Sequence, residues 1–398
     1  MTCPAVPRDD TAEAILLMFL VGWILCFLVA AWTIPAMIAL LLKQLRSRPV
    51  TDEFLSGPLI SVIIPARNEE QQIRQSVQSV LQSEGVRLEL IAVNDRSTDA
   101  TGRLMEQVAA DDARMHVIHI SELPPGWLGK NHAMHVAAQR AAGSLLLFTD
   151  GDVIYKPEAL AMALAHVRDH QLHHLCLLPR MLPGRILENA VVAFFGLSFS
   201  IGMQLQWIRT RWPLSYAGVG AFNLVDAEFY RGFGGHQPIA LDVLDDVKLG
   251  KLVKRYGGRQ DFQSAPELLS IRWQPSLWGV ITGLEKNGFA ALNYSIGGIC
   301  LVTIVFLTGM ILPYAAAAFL PGAAGSGFLA TVVVWHVVYG AACVLSGAGF
   351  AVTALFPLAA CIMVFAFWRS AVITLKQGGI RWRDSFYPLS LLRPAVYR

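Results

Sequence analysis

Two carboxylates one residue apart, Asp150 and Asp152, follow directly on the apolar run Leu145, Leu146, Leu147 and Phe148. A short apolar run that stops at a turn signal reads as a buried strand of a parallel sheet. Ligands of open α/β sheets sit beyond the carboxyl ends of the strands, so both acids fall on the rim where chemistry is done. Two hard oxygen donors at this spacing suit Mg2+ or Mn2+, ions that keep coordination positions for substrate phosphates. Gly151 between them lets the backbone turn tightly or come close to a ligand. Taken alone, a D-x-D is more often a solvated turn with two surface acids. The rest of the chain changes that balance.

The elements that must position these acids alternate regularly. The β-branched run 59–64 ends at Pro65 and predicts a buried strand, followed by the loop Ala66, Arg67, Asn68, Glu69 and Glu70. A helix with Ile73, Val77 and Leu81 on one face comes next. A second strand at 88–93 ends in the polar loop 94–99, where Thr98 or Asp99 can cap a helix carrying Leu104, Met105 and Val108. A third strand at 117–120, a turn at 124–126 and a helix at 131–142 lead to the strand before Asp150. This spacing predicts a doubly wound, mostly parallel sheet. The fold rule then brings Arg67 and Glu69, Asp95, and the Asp150/Asp152 pair to one rim. Neither a G-x-G-x-x-G nor a G-x-x-x-x-G-K-[ST] is present, which removes a dinucleotide fingerprint and a P-loop.

Composition adds a membrane. The 398-residue chain is 54% hydrophobic and 15% charged, and its apolar residues come in blocks. The block 14–42 has no charged side chain and is long enough to cross with tilt, with Pro35 as a potential kink. Asp9, Asp10 and Glu13 precede it, unlike the basic start of a cleaved signal, so it predicts an uncleaved anchor. Lys43, Arg46 and Arg48 follow and place the next segment in the cytoplasm and the N-terminus outside. The blocks 297–320 and 328–368 are uncharged too, predicting spans near 298–320, 328–346 and 350–372, with a Gly/Ala-rich loop from Pro321 to Gly327. Four spans would put the C-terminus outside, whereas Arg369, Lys376, Arg381, Arg383, Arg393 and Arg398 argue for inside. A re-entrant pair in the last block would reconcile them. The expected organisation is an anchor at 1–48, a cytoplasmic catalytic domain at 49–296, membrane helices at 297–376 and a basic tail at 377–398. The stretch 186–208 is long enough to span, but its Asn189, Ser198, Ser200, Gln204 and Gln206 favour an interfacial or buried helix suited to receiving a lipid.

A net charge of +3 gives no argument for nucleic acid, and six cysteines without a C-x-x-C suggest neither zinc nor a disulfide framework. No acidic or basic residue lies in the apolar blocks 14–42, 297–320 and 328–368, which weighs against a transporter.

Three motifs together, SVIIPARNEE from Ser61 to Glu70, VNDRSTDAT from Val93 to Thr101, and TDGD from Thr149 to Asp152, resemble the family 2 glycosyltransferases. That resemblance implies a GT-A fold, a nucleotide-diphosphate sugar as donor (a UDP-sugar foremost) and inversion at the anomeric carbon. It implies that Asp95 binds the nucleotide base, with Pro65, Ala66, Arg67 and Glu69 in the same pocket. Asp150 would sit by the ribose and diphosphate, and Asp152, with Asp150, would ligate the metal. Lys130, in the GWLGKNHA segment, resembles the lysine near the donor diphosphate, and a Lys at a helix start adds charge to N–H groups that favour anions. In LDVLDDVKLG, Asp245 takes the family's Glu position and Asp246 the position of the catalytic base. Gly234, Gly235 and His236 resemble the glycine turn on the acceptor side, with Trp278 added from the IRWQPSLW segment. Arg272 and Trp273 match the end of a Q-x-x-R-W, but Leu269 stands where processive members have Gln. Arg272 would fork over the diphosphate.

The expectation is thus a multi-pass plasma-membrane glycosyltransferase acting on a hydroxyl or carboxyl of a membrane lipid. The chain resembles hopanoid-associated, carotenoid-acid and ceramide glycosyltransferases, none closely enough to name the lipid. A processive polysaccharide synthase, or a non-catalytic nucleotide-binding membrane scaffold, are the alternatives.

Overall fold

The computed structural model describes residues 10–48, 54–274, 276–320 and 322–396. Asp9, the first half of the linker at 49–58, Pro321 and Arg398 lie outside the described residues.

Helix α1 (Asp10–Leu42) leads into the α/β domain. There β1 (Phe54–Ala66), β2 (Val86–Asp95), β3 (Met115–Ile120) and β4 (Leu145–Phe148) alternate with α2 (Ile73–Leu81), α3 (Thr101–Asp111) and α4 (Gly129–Arg140). Next come β5 (Ile154–Tyr155), α5 (Ala159–His170), β6 (His174–Leu178), β7 (Arg180–Met181) and α6 (Ile186–Gly202). They are followed by β8 (Asn223–Asp226), α7 (Ala227–Gly232), α8 (Asp245–Arg255), β9 (Gln260–Ser264), β10 (Leu269–Ile271) and α9 (Leu277–Ala291).

Seven strands form the main sheet in the order β3-β2-β1-β4-β8-β6-β9. Only β8 runs against its neighbours, β4 and β6. The other four pairs are parallel, so the expected Rossmann-like, mostly parallel sheet is present. Its central strands are apolar throughout because helices cover both faces. Ile60, Val62 and Ile64 of β1 pack into one layer, and Ile63 joins Leu146 and Phe148 of β4 in the other. Each such side chain contributes about 1.5–3 kcal/mol on burial. The chain winds outward from β1 to β3 and returns to β4 on the other side of β1, which opens a crevice between the β1 and β4 loops.

Helices α10 (Ile296–Phe306), α11 (Leu312–Phe319), α12 (Ala323–Leu345) and α13 (Phe356–Gln377) follow. Four helical segments are long and apolar enough to cross a bilayer: Thr11–Leu42, Ile296–Phe319, Ala323–Leu345 and Phe350–Gln377. Their outward residues, Phe27, Leu42, Phe319 and Val337 among them, are exposed, as lipid-facing side chains would be. Helices α1 and α12 touch where a Cβ on Gly327 would stand 2.4 Å from the Gly22 backbone. Pro313 has no N–H to offer the Gly309 carbonyl, a five-residue π segment intervenes, and Trp335 Nε1 donates to that carbonyl at 2.8 Å.

Two elements differ from the sequence reading. Helix α6 ends at Gly202, where Gln204 turns left-handed (φ 51°) and a 3-10 turn, Leu205–Trp207, follows, so the apolar stretch is not one helix to 208. It is wedged among the other apolar helices, with Phe194 against Phe356 and Tyr339 donating to the Ala190 carbonyl at 2.8 Å. The basic tail is not a tail. After Gly378, left-handed at φ 69°, β11 (Gly379–Trp382) and β12 (Ser385–Pro388) form an antiparallel hairpin, followed by α14 (Leu389–Val396).

Candidate active site

The rim loops hold one another. Asn68 is left-handed (φ 55°), a conformation Asn tolerates, and its Oδ1 accepts the Thr98 N–H at 2.8 Å. The Asn68 and Glu69 N–H groups donate to Ser97 Oγ (3.1 Å) and Thr101 Oγ1 (2.8 Å). Asp99 accepts the Thr101 N–H at 2.9 Å, but the cap position of α3 is Ala100, so neither Thr98 nor Asp99 is its cap residue. The polar residues of the first two motifs therefore tie the end of β1 to the end of β2. Gly151 is not left-handed; its lack of a side chain admits Ile73, whose Cδ1 would lie 3.3 Å from a Cβ there.

A cavity of about 630 Å³ opens between these loops, α4, α8 and the apolar helices. Its polar end is lined by Pro65, Ala66, Arg67, Glu69, Asp95, Lys130, Asp150, Asp152, Asp245 and Asp246. Lys130 Nζ bridges Asp150 Oδ1 (2.7 Å) and Asp245 Oδ2 (3.2 Å). Burial works against its charge, but Asp150, Asp245 and Asp246 outweigh that and hold the ammonium well above the usual lysine value. Burial likewise raises Asp150, yet Lys130 prevails and its carboxyl stays below the ordinary range.

Asp152 has no such cation. Burial and the charges of Asp150 and Glu69 push it up to about 7. Its buried Oδ1 has no hydrogen-bond partner among the described residues, an oxygen left for something the chain does not supply. Asp152 beside Asp150 therefore fits a hard divalent cation. Among the described residues no group of three or more His, Cys, Asp or Glu makes an all-protein cage. A Mg2+-type ion needs none, since it takes one or two carboxylates and leaves the rest to water and phosphate.

Asp246 sits at the start of α8, its Oδ2 accepting the Gly220 N–H and its Oδ1 the Val247 N–H, both at 2.8 Å. Burial, then the charge of Asp245, pushes it up to about 6. A base of that pKa is ionised at neutral pH and still takes a proton readily. The loop before β8 must be glycine to allow this. A Cβ on Gly218 would stand 1.7 Å from the Asp246 carbonyl oxygen, and one on Gly220 would stand 2.5 Å from Asp150 Oδ2. Gly129 is similarly constrained, 2.5 Å from Asp95 Oδ2. Asp95 itself is buried and held by Arg96 at 2.7 and 3.0 Å.

Other expected site residues lie elsewhere. Arg272 is exposed just past β10 and does not line the cavity, whereas its neighbour Trp273 does, packed on Phe195 with ring centroids 4.7 Å apart. The glycine turn at Gly234 and Gly235 is also outside it. His236 is buried, bonded to Tyr230 Oη at 2.7 Å and set edge-on to Phe148, and burial lowers it to about 3, so it is a neutral packing residue beneath the site. Trp278 is exposed on α9 with Arg369 over its ring. None of these four contacts the cavity on the acceptor side, because α6, β10 and α9 supply that wall instead.

Sequence reading missed part of the polar end. Lys286 of α9 and Trp382, Arg383 and Tyr387 of the hairpin line the same cavity. Arg383 pairs with Glu69, Arg67 with Asp384 (2.9 Å), and the Gly129 N–H donates to Tyr387 Oη (3.3 Å). For Trp382, Arg383 and Tyr387 the sequence signal was basic charge after the last span, which says nothing of a return to the sheet. The other end of the cavity is apolar, formed by Leu40, Phe195, Leu197, Phe199, Leu345 and Phe367.

Residues 61–185 match the family described as Glycosyl transferase family 2. The curated relatives include 4,4'-diaponeurosporenoate glycosyltransferase of Staphylococcus aureus, 28% identical over 196 residues. That match takes in 48% of this chain and spans about half (50%) of the relative's length. Among solved structures, a mannosyltransferase of Pyrobaculum calidifontis in complex with GDP-Man and Mn2+ aligns with 89% of this chain and 99% of its own at 16% identity (TM-score 0.48). S. aureus TarS 1–349 in complex with UDP-GlcNAc aligns with 82% and 98% at 14% identity (TM-score 0.40).

Proposed function

From a chain that carries a family 2 glycosyltransferase domain at residues 61–185, we propose an inverting, metal-dependent enzyme that moves a sugar from a nucleoside-diphosphate sugar to a membrane lipid. One observation carries the reading. A single cavity joins the Asp150, Asp152, Lys130 and Asp246 cluster at one end to an apolar wall of α6 and the membrane-length helices at the other. A polar donor and a lipid can meet there.

In this reading Asp95 and the β1 loop hold the nucleotide. Asp152, with Asp150, holds the divalent ion, Mg2+ or Mn2+, which when bound offsets charge on the leaving diphosphate. Lys130 keeps Asp150 ionised and holds Asp150 and Asp245 in place. Asp246 accepts the proton of the acceptor hydroxyl as that oxygen bonds to the anomeric carbon. The bond from that carbon to the diphosphate oxygen breaks, and the nucleoside diphosphate leaves with the electron pair. One base suffices, because the leaving group departs as a stabilised anion, in contrast to the paired carboxyls of a glycoside hydrolase. The domain faces the cytoplasm of the plasma membrane, where nucleotide sugars are supplied.

The test is donor turnover by the protein in detergent with Mn2+ or Mg2+, a panel of nucleotide sugars and a total lipid extract. Lipid-dependent release of nucleoside diphosphate from one donor supports the reading. Release that needs no lipid and builds a long polymer replaces it with a polysaccharide synthase.

A further inference from the structure

Besides Arg96, Arg180, Lys248 and Lys251, the cavity is lined by four further cationic side chains, Arg67, Lys130, Lys286 and Arg383. Three have their charge matched. Arg67 meets Asp384, Arg383 meets Glu69, and Lys130 meets both Asp150 and Asp245. Lys286 has no carboxylate within ion-pair distance among the described residues. Its Nζ lies 3.7 Å from the centroid of the Trp382 ring, in the same cavity as the carboxylates. Its surroundings disfavour the charge, since burial and the Lys130 ammonium bring it down to about 8. An ammonium so placed, held on an aromatic face with Asp150, Asp245 and Asp246 in reach of its field but none in contact, is a seat for an anion.

Its position is built. Helix α9 is bound to α13 by Arg369 to Glu285 (2.7 Å), the residue before Lys286, and by the Phe289 N–H donating to Ser370 Oγ (2.8 Å). The hairpin then brings Trp382 under the lysine, and its tip is anchored on the β1 loop by the Arg67 and Arg383 pairs. Lys286 thus stands on the wall of the cavity contributed by the apolar helices and faces Asp150, Asp245 and Asp246 across it.

We propose that Lys286, steadied by Trp382, binds the diphosphate of the nucleotide donor and its leaving group. It takes the part that sequence reading gave to Arg272, which does not line the cavity. This assignment rests on the donor-site reading above. A neutral sugar or a lipid hydroxyl offers little to a buried ammonium, whereas a diphosphate brings two or more negative charges to it.

The test is binding of UDP and GDP, and of uridine and guanosine, to the full chain in detergent by calorimetry, in EDTA and again with Mn2+. Lys286→Met should weaken binding of whichever diphosphate the wild type takes by roughly tenfold or more, with the nucleoside unchanged. Lys286→Arg should restore most of it, with the thermal melts of both variants near wild type. If Lys286→Met binds the diphosphate within about twofold of wild type, or if Lys286→Arg fails as fully as Lys286→Met, the assignment is overturned. If the wild type binds neither diphosphate, the donor-site reading falls and this assignment with it. That outcome is distinguishable because it precedes any substitution.

Discussion

Asp246→Asn is the sharpest perturbation of the mechanism. The two side chains have nearly the same shape; of the two backbone N–H groups that donate to the two Asp246 oxygens at 2.8 Å, one keeps the amide oxygen and the other loses its acceptor, a cost of about 1–3 kcal/mol that falls on stability. What is lost is the proton acceptor. General-base assistance contributes about 10²–10⁴-fold, or about 3–5 kcal/mol of the barrier, so kcat should fall by that factor with a hydroxyl acceptor. Affinity for the nucleoside diphosphate should stay within about twofold, since the base touches the acceptor. The wild-type pH profile supplies a second reading. Asp246 is raised to about 6 and acts only when ionised, so activity should be nearly full at pH 7.5 and fall about tenfold per unit below pH 6. A carboxyl acceptor would already be ionised and need no base, so with it the variant should retain most of its turnover. The assay is release of nucleoside diphosphate against pH with defined lipids. A variant that keeps more than about a tenth of wild-type turnover on a hydroxyl lipid refutes the role of Asp246.

The remaining expectations concern the walls of the cavity. Gly218→Ala would drive a methyl to 1.7 Å from the Asp246 carbonyl, so it should cost at least ~1–3 kcal/mol of stability, seen in the thermal melt, and lower kcat in step. Phe195→Arg puts a charge in the apolar end; lipid-dependent turnover should drop roughly tenfold or more while UDP or GDP binding is kept. Trp278→Ala, at a side chain outside the cavity, should change kcat/KM by less than about twofold in the same assay.

The sheet was legible because its strands are buried on both faces and therefore read as unbroken apolar runs, as 59–64 and 145–148 do. The rim was legible because Arg67, Asp95 and Asp150 each follow such a run directly. Boundaries moved by a few residues: α4 begins at Gly129 instead of 131, placing Lys130 on the helix's first turn. The acceptor side was not legible. His236 and Trp278 carry chemistry in isolation, but only tertiary packing shows that one is sealed against Phe148 and the other faces outward. Lys286 and Arg383 were invisible for a related reason. Lys286 stands between the rim and the spans in sequence, Arg383 lies beyond the last span, and nothing local says that a hairpin returns over 300 residues to meet Arg67 and Glu69.

That return constrains how the chain threads a bilayer. A hairpin bound to the β1 loop lies on the same face as the domain, so the path from α9 to Gly379 must contain an even number of complete crossings. Three apolar segments lie on that path. Helix α12 runs alongside α1, with Gly327 at Gly22 near their starts, and Leu345 and Leu40 both reach the cavity at their ends. It therefore finishes on the domain's side. The segment 350–377 starts there and also ends there, an excursion and not a passage. This threading predicts three passages in total, α1, α10 with α11, and α12, with the N-terminus across the membrane from the domain and the basic C-terminus on the domain's own side. Charge alone set these two ends in conflict when four passages were counted. Impermeant thiol labelling of single cysteines at Ala323, Arg103 and Arg381 checks the count: only the first should react from outside intact cells, and labelling at Arg381 would refute it.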